Sequence, residues 1–344
     1  MIGKSGGSVS DPLGAAKGAL EKHKKSLLAI PGCTGVAIGF KQVRGKESDR
    51  LAIIVFVKQK RAAPHKMTVI PRILEGVPTD VVEQEVLRAD LLDSGPGLAG
   101  PDPFARYDEL FCGLSVTPSE ASPTWGSVGC FIRTPGDLRQ GVKPGDYLMT
   151  CQHVLRYVTL DDQSVIQPSD GIAAPRDYLC GNYVQGYQDA TRDCAIVNVG
   201  FGRTFKNAVP DFADPHRMKQ LSGVAAAAPG QEVYKYGATT RITKGRVALV
   251  NYNPPNTGFQ NVILIRSEQG ERQVWVAKGD SGSVTMLQSN DCVIGLNFAG
   301  TRDSVMKDPP QNLEAYPAYY RGFAYEIQTQ MDAFSTAGAV TLAS

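Results

Sequence analysis

Lys278-Gly279-Asp280-Ser281-Gly282-Ser283 sets a serine hydroxyl on a tight turn between two glycines, with an acid immediately before it. Such a turn suits a nucleophile whose neighbouring backbone N–H groups must converge on one point. Alone it is ambiguous, because Asp-Ser-Gly is common turn chemistry. Two upstream segments give it meaning. Leu148-Met-Thr-Cys-Gln-His153-Val-Leu155 and Arg192-Asp193-Cys-Ala-Ile-Val197 each place a chemically active side chain in apolar, strand-like surroundings.

A serine hydroxyl is a weak nucleophile at neutral pH and needs a base within hydrogen-bond reach. An imidazole titrates in the useful range, so His153 is the candidate. The imidazole in turn needs a carboxylate to fix its tautomer and stabilise its cation, a role for Asp193, with Asp189 in reserve. The oxyanion of an acyl-transfer intermediate needs preorganised donors. The backbone N–H groups of Gly279 and Ser281 are the expected ones, Gly279 being free to adopt turn conformations closed to other residues.

The three residues occur in the order His…Asp…Ser, with gaps of 40 (193 − 153) and 88 (281 − 193) positions. The α/β-hydrolases run Ser…Asp…His and the subtilisins Asp…His…Ser, whereas chymotrypsin-type enzymes share the order seen here. The chymotrypsin template has gaps of about 45 and about 93. The chain thus resembles the trypsin/chymotrypsin-like serine proteases at Thr150-Cys-Gln-His153, Asp193-Cys-Ala-Ile196, Gly279-Asp-Ser-Gly282 and Val293–Gly300. It is similar in particular to a bacterial subgroup and its plant relatives of the NARROW LEAF type. That likeness rests on Gly113-Leu-Ser-Val116, Gly126-Ser-Val-Gly129, Tyr236-Gly-Ala-Thr-Thr-Arg-Ile-Thr-Lys-Gly245, Phe298-Ala-Gly300 and Gly76-Val-Pro-Thr-Asp-Val-Val82. The resemblance implies a mainly β, two-barrel protease fold preceded by a small α/β domain. It also implies serine endopeptidase activity on a protein or peptide substrate, with the strand through Phe298, Ala299 and Gly300 pairing with that substrate.

The chain departs from the pattern in three places. Val154 follows His153, where trypsins carry a disulfide cysteine. Trp275 stands six positions before Ser281, where the charge of the specificity pocket is often set, and Phe298 lies opposite it. Small or apolar residues are therefore expected before the scissile bond. No Arg-Ile-Val-Gly-Gly activation site is present, so Asp280 must find a partner other than a freed N-terminus.

The rest of the chain frames this reading. With 344 residues, 42 % hydrophobic and 20 % charged, it is long enough for more than one packed core. The 36 glycines and 22 prolines point to a turn-rich, β-dominated fold. A net charge of +2 with scattered Lys and Arg calls for no nucleic acid; Lys24-Lys25 and Lys58–Arg61 read as solvated faces. No stretch approaches the roughly 20 apolar residues of a membrane span, and the first residues lack the apolar core of a signal peptide. Seven cysteines without Cys-x-x-Cys spacing read as reduced thiols of a cytosolic protein. Cys151 and Cys194, beside the candidate catalytic residues, read as small buried side chains rather than reactive ones.

Asp11-Pro12 signals a helix start, with apolar residues at helical spacing to Ala29 and a stop at Pro31-Gly32. Val36–Phe40, Leu51–Val57 and Asp80–Gln84 read as strands. The composition of Asp93–Pro103 marks a linker. The expected division is a unit over 1–95 with a regulatory or oligomerising role, a linker over 96–103 and a protease domain over 104–344. Ten short strands are expected downstream, at 112–117, 126–133, 146–151, 194–199, 231–236, 244–251, 261–266, 272–277, 283–287 and 291–298, followed by a helix over Ala324–Phe334. No metal-ligand spacing, phosphate loop or dinucleotide fingerprint appears, so neither metal nor cofactor is expected. His23, His65 and His216 read as surface residues. Two other functions fit the same residues, a protein-binding scaffold on a protease fold and an esterase.

Overall fold

The computed structural model describes residues 11–43, 46–58, 70–83, 89–91, 100–119, 124–137, 140–170, 175–306 and 318–344. At the N-terminal end lie α1 (Pro12–Leu28), β1 (Cys33–Val43), β2 (Lys46–Val57), β3 (Ile73–Leu74), β4 (Val77–Glu83) and β5 (Ala89–Leu91). Asp11 caps α1 by accepting from the Gly14 N–H at 2.9 Å, as the Asp-Pro start predicts. α1 buries Ala16, Ala19, Leu20 and Leu27 against β1, β2 and β4.

The first barrel contains β6 (Glu109–Leu110), β7 (Ser115–Pro118), β8 (Gly126–Ser127), β9 (Cys130–Thr134), β10 (Gly145–Thr150), β11 (Ser164–Ile166), α2 (Pro175–Tyr178), β12 (Leu179–Gln188) and β13 (Asp193–Val199). The connection carries β14 (Thr204–Phe205), β15 (Ala208–Pro210), β16 (Met218–Gln220) and β17 (Gly223–Val224). The second barrel follows with β18 (Glu232–Gly237), β19 (Arg241–Tyr252), β20 (Val262–Ser267), β21 (Val276–Ala277), β22 (Val284–Leu287), β23 (Cys292–Thr301), β24 (Ala318–Tyr319) and β25 (Arg321–Glu326). Then come α3 (Ile327–Asp332) and β26 (Thr341–Leu342).

Six strands close the second barrel in the order β18-β22-β23-β25-β20-β19, with β19 returning to β18. The first barrel is a curled sheet in the order β26-β9-β10-β13-β12-β11-β7-β8. Closure removes free strand edges, and the two barrels together make the chymotrypsin-like architecture expected from the sequence. β1 pairs with β19 through Ile38↔Val250, so the N-terminal strands extend the second barrel's sheet. Val36, Ile38, Ile53 and Val55 share one apolar cluster with Val233, Ile263, Ile294 and Trp275 of that barrel. Of the expected linker, residues 93–99 lie outside the described residues, as do Gln84, His65 and residues 59–61.

Several boundaries differ from the sequence reading. The expected 126–133 strand is split between β8 and β9, and only Val276–Ala277 of 272–277 is strand. Ala324–Glu326 belongs to β25 and helix begins only at Ile327. The cause is tertiary: β25 fills the gap between β23 and β20, burying Phe323 and Tyr325. β12, with its polar and glycine-containing sequence, gave no periodic signal, yet it pairs with β13 from Gln188↔Asp193 to Gly181↔Val199.

Candidate active site

His153 sits on a 3-10 turn, Gln152–Val154, directly after β10. Asp193 opens β13, the neighbour of β10. Adjacent strands therefore deliver both residues to the same end of the first barrel. His153 Nδ1 lies 2.6 Å from Asp193 Oδ2, and the His153 backbone N–H donates to Asp193 Oδ1 at 3.1 Å. A carboxylate only accepts, so Nδ1 carries the proton and Nε2 presents a lone pair. His153 Nε2 is buried and has no hydrogen-bond partner among the described residues. Gln330, on α3, fixes Asp193 by accepting from its backbone N–H at 3.0 Å.

Ser281 lies on the turn between β21 and β22 of the second barrel. Gly279 and Gly282 hold φ of +95° and +92°, the left-handed region that favours glycine. A side chain on Gly282 would also collide with Thr150 Oγ1 and Ser127 O. The turn is thus pressed against the segment leading to His153. Ser127 joins the two: its N–H donates to Ser281 O at 2.7 Å and its hydroxyl to Gly279 O at 2.8 Å. Its own carbonyl accepts from Thr150 Oγ1 at 2.8 Å. Ser281 Oγ itself donates to Phe298 O at 3.3 Å.

Asp280 answers the question its sequence context raised. Its side chain is fully buried and pairs with Lys235 Nζ of β18 at 3.1 Å, Lys235 being equally buried. Asp280 Oδ1 accepts the Thr239 and Thr240 N–H groups, each at 3.1 Å. Asp280 Oδ2 accepts the Ala277 N–H at 2.9 Å and the Thr240 hydroxyl at 2.7 Å. Thr239-Thr240, in the β18–β19 connection, thereby serves the nucleophile turn. Lys235 also donates to Thr240 Oγ1 at 2.5 Å. Burial pushes the Lys235 pKa below its usual value, while Asp280 pulls it back up. The partner of Asp280 is thus an internal cation. Sequence reasoning missed Lys235, although a lysine between Tyr234 and Tyr236 of an apolar strand is a legible signal. Ser127 lay inside a quoted motif without a role.

The remaining residues fall as follows. Phe298 buries its ring against Tyr325, stacked at 4.2 Å, and its carbonyl accepts from Ser281 Oγ. Trp275 is fully buried. Gly300 and Gly322 face each other across β23 and β25. A Cβ on Gly300 would fall 2.5 Å from Tyr319 Cγ, and one on Gly322 would fall 2.8 Å from Trp275 Cδ1. Aromatic rings therefore fill the space beside both glycines. Asp189 pairs with Arg192 at 2.6 Å, not with His153. His23 pairs with Glu75 and His216 is exposed.

Cys151, His153 and Asp193 bring ligand atoms within 4.8 Å of one another, the arrangement of a possible metal site. His153 and Asp193 already bond each other, and Cys151 Sγ is directed at Asn297 O at 3.3 Å. Burial, followed by the nearby Asp193 charge, holds the Cys151 thiol well above its usual pKa, which disfavours the thiolate a metal needs.

No family model and no curated protein matches this sequence. Among solved structures, the chain is similar to a glutamic acid-specific serine protease described as using a histidine triad in substrate binding. The identity is 18 %, over 68 % of this chain and 100 % of that one, with a TM-score of 0.48. It is also similar to Nocardiopsis protease (16 % identity, 69 % and 100 % covered, TM-score 0.45). A third is the Cellulomonas bogoriensis chymotrypsin (16 % identity, 65 % and 95 % covered, TM-score 0.42).

Proposed function

We propose that this protein is a serine endopeptidase in which Ser281 is the nucleophile, His153 the general base and Asp193 the orienting carboxylate. The reading is carried by one observation: a buried Asp193–His153 couple whose Nε2 lacks a partner among the described residues, beside a glycine-bounded serine turn docked on the same segment. In this mechanism Ser281 Oγ attacks the scissile carbonyl and its proton passes to His153 Nε2. The oxyanion is held by the N–H groups of Gly279 and Ser281, each such donor being worth about 3–4 kcal/mol in related chemistry. The imidazolium protonates the leaving amine, and water then releases the acyl group from Ser281 by the reverse proton path. Substrate adds as an antiparallel strand along Ala299 and Gly300.

Specificity follows from the filled space beside Gly300 and Gly322. With Tyr319 and Trp275 packed there, the residue before the scissile bond is small or apolar. No carboxylate in the described site favours Arg or Lys.

Labelling with a fluorophosphonate probe tests the nucleophile: the native protein is labelled and Ser281→Ala is not. Turnover of casein separates a peptidase from an esterase. An unlabelled native protein overturns the reading, and a peptide-library profile dominated by Arg or Lys overturns the specificity.

A further inference from the structure

β23 is hydrogen-bonded to β25 along one edge. On the other edge β22 pairs with it only as far as Val284↔Leu296. Ser283 and Gly282 still bond Asn297, at 2.9 and 2.8 Å; past Asn297 the chain has turned away into the Ser281 turn, and the edge of β23 beside Ser281 is open to another strand. The strand that takes it is β5. Ala89 pairs with Thr301, Asp90 with Gly300 and Leu91 with Ala299, antiparallel. β5 therefore runs from Thr301 toward Phe298, whose carbonyl lies 3.3 Å from Ser281 Oγ.

That polarity and register are those an acyl donor must adopt. Its chain has to run toward Phe298 to bring a carbonyl to Ser281, and the backbone groups of Ala299 and Gly300 are the ones available to hold it. Ser281 and His153 expose 0 % and 1 % of their surface. A substrate reaches them only after segments of this same chain give way.

We infer that Ala89–Leu91 is an intramolecular substrate mimic, which occupies the substrate-binding edge of β23 and holds the full-length protein in a self-inhibited state. Its inhibitory consequence rests on the peptidase reading; its occupancy of the edge does not. A tethered strand competes at an effective concentration in the millimolar range. Against a local affinity near 0.1 mM, typical of weak peptide substrates, it raises the apparent KM about tenfold. The natural activator is then any extended segment that displaces β5 from this edge.

The test uses the full chain carrying Asp90→Pro and Leu91→Pro together, because proline removes the ladder N–H groups. In a Ser281→Ala background, amide exchange at Ala299–Thr301 is compared with and without the two prolines. Faster exchange at the amides facing β5 is expected, and unchanged exchange overturns the placement. With Ser281 intact, the prolines lower KM for a small-residue peptide substrate about tenfold at constant kcat. An unchanged KM alongside faster exchange overturns the inhibition. Failure of the fluorophosphonate probe to label Ser281 even in the variant with both prolines defeats the peptidase reading instead, while amide exchange still decides occupancy. A second variant, with residues 89–91 replaced by Gly-Ser-Gly, reads the same quantities should the prolines disturb folding.

Discussion

The two halves of the candidate site are built on opposite plans. In the curled first barrel, the proposed base His153 is held by Asp193 through its ring Nδ1 and its backbone N–H, and its other ring nitrogen has no partner among the described residues. In the closed second barrel, the nucleophile turn is locked by a buried ion pair and by four further bonds to Asp280 from Thr239, Thr240 and Ala277. The difference fits the role proposed for each half. A base must gain and lose a proton, so one lone pair is left unspent. A turn that aims backbone N–H groups must not move, so its acid is saturated with donors. Burying Lys235 and Asp280 is costly in itself; the return is a turn fixed before substrate arrives.

The comparison can be broken at either half. The largest effect is expected from Asp193→Asn, which cannot stabilise the required imidazole tautomer. Its kcat should fall by about 10⁴, with little change in thermal stability; steady-state kinetics and a melting curve check both. Lys235→Met leaves Asp280 buried without its cation. It should cost about 3–5 kcal/mol of stability in denaturant unfolding. Adding Asp280→Asn should then cost much less than it does alone, because the two residues act as one unit. An additive result would show that the turn does not depend on the pair. Tyr319→Ala should open the space beside Gly300 and raise the kcat/KM ratio for a large apolar over a small residue before the scissile bond, by about 10–100-fold. An unchanged ratio would remove Tyr319 from the specificity pocket.

The smallest effect concerns the thiols beside the base. Burial pushes the Cys151 and Cys194 pKa values well up, and both side chains are fully enclosed. Iodoacetamide should leave both unlabelled in the native protein and leave activity intact. Labelling of Cys151 under native conditions would mean that the first half of the site opens more readily than its packing implies.

Much of this was readable in the chain because the residues concerned are chemically distinctive and locally framed. His153 and Asp193 stand in short apolar contexts and Ser281 on a glycine-flanked turn, and their order is a property of the sequence alone. The helix at Pro12–Leu28 was equally legible from its cap and spacing. Legibility failed where partners are far apart in sequence. Ala324–Glu326 of β25 looked helical until β20 and β23 were there to bond it. Lys235 had no visible partner, because Asp280 lies 45 positions away. Ser127 gained a role only through Gly279, a further 152 positions along from it.

By itself, then, the sequence determined which side chains are candidates for chemistry, that the chain is rich in short strands, and the order in which a candidate base, acid and nucleophile appear. Local chemistry and chain order are written residue by residue. The tertiary structure alone decided what holds the serine turn, what fills the space beside Gly300 and Gly322, and which strand lies along the edge of β23. Those are pairings between segments whose separate sequences give no sign of one another; they come from barrel closure and from the burial of Lys235 with Asp280.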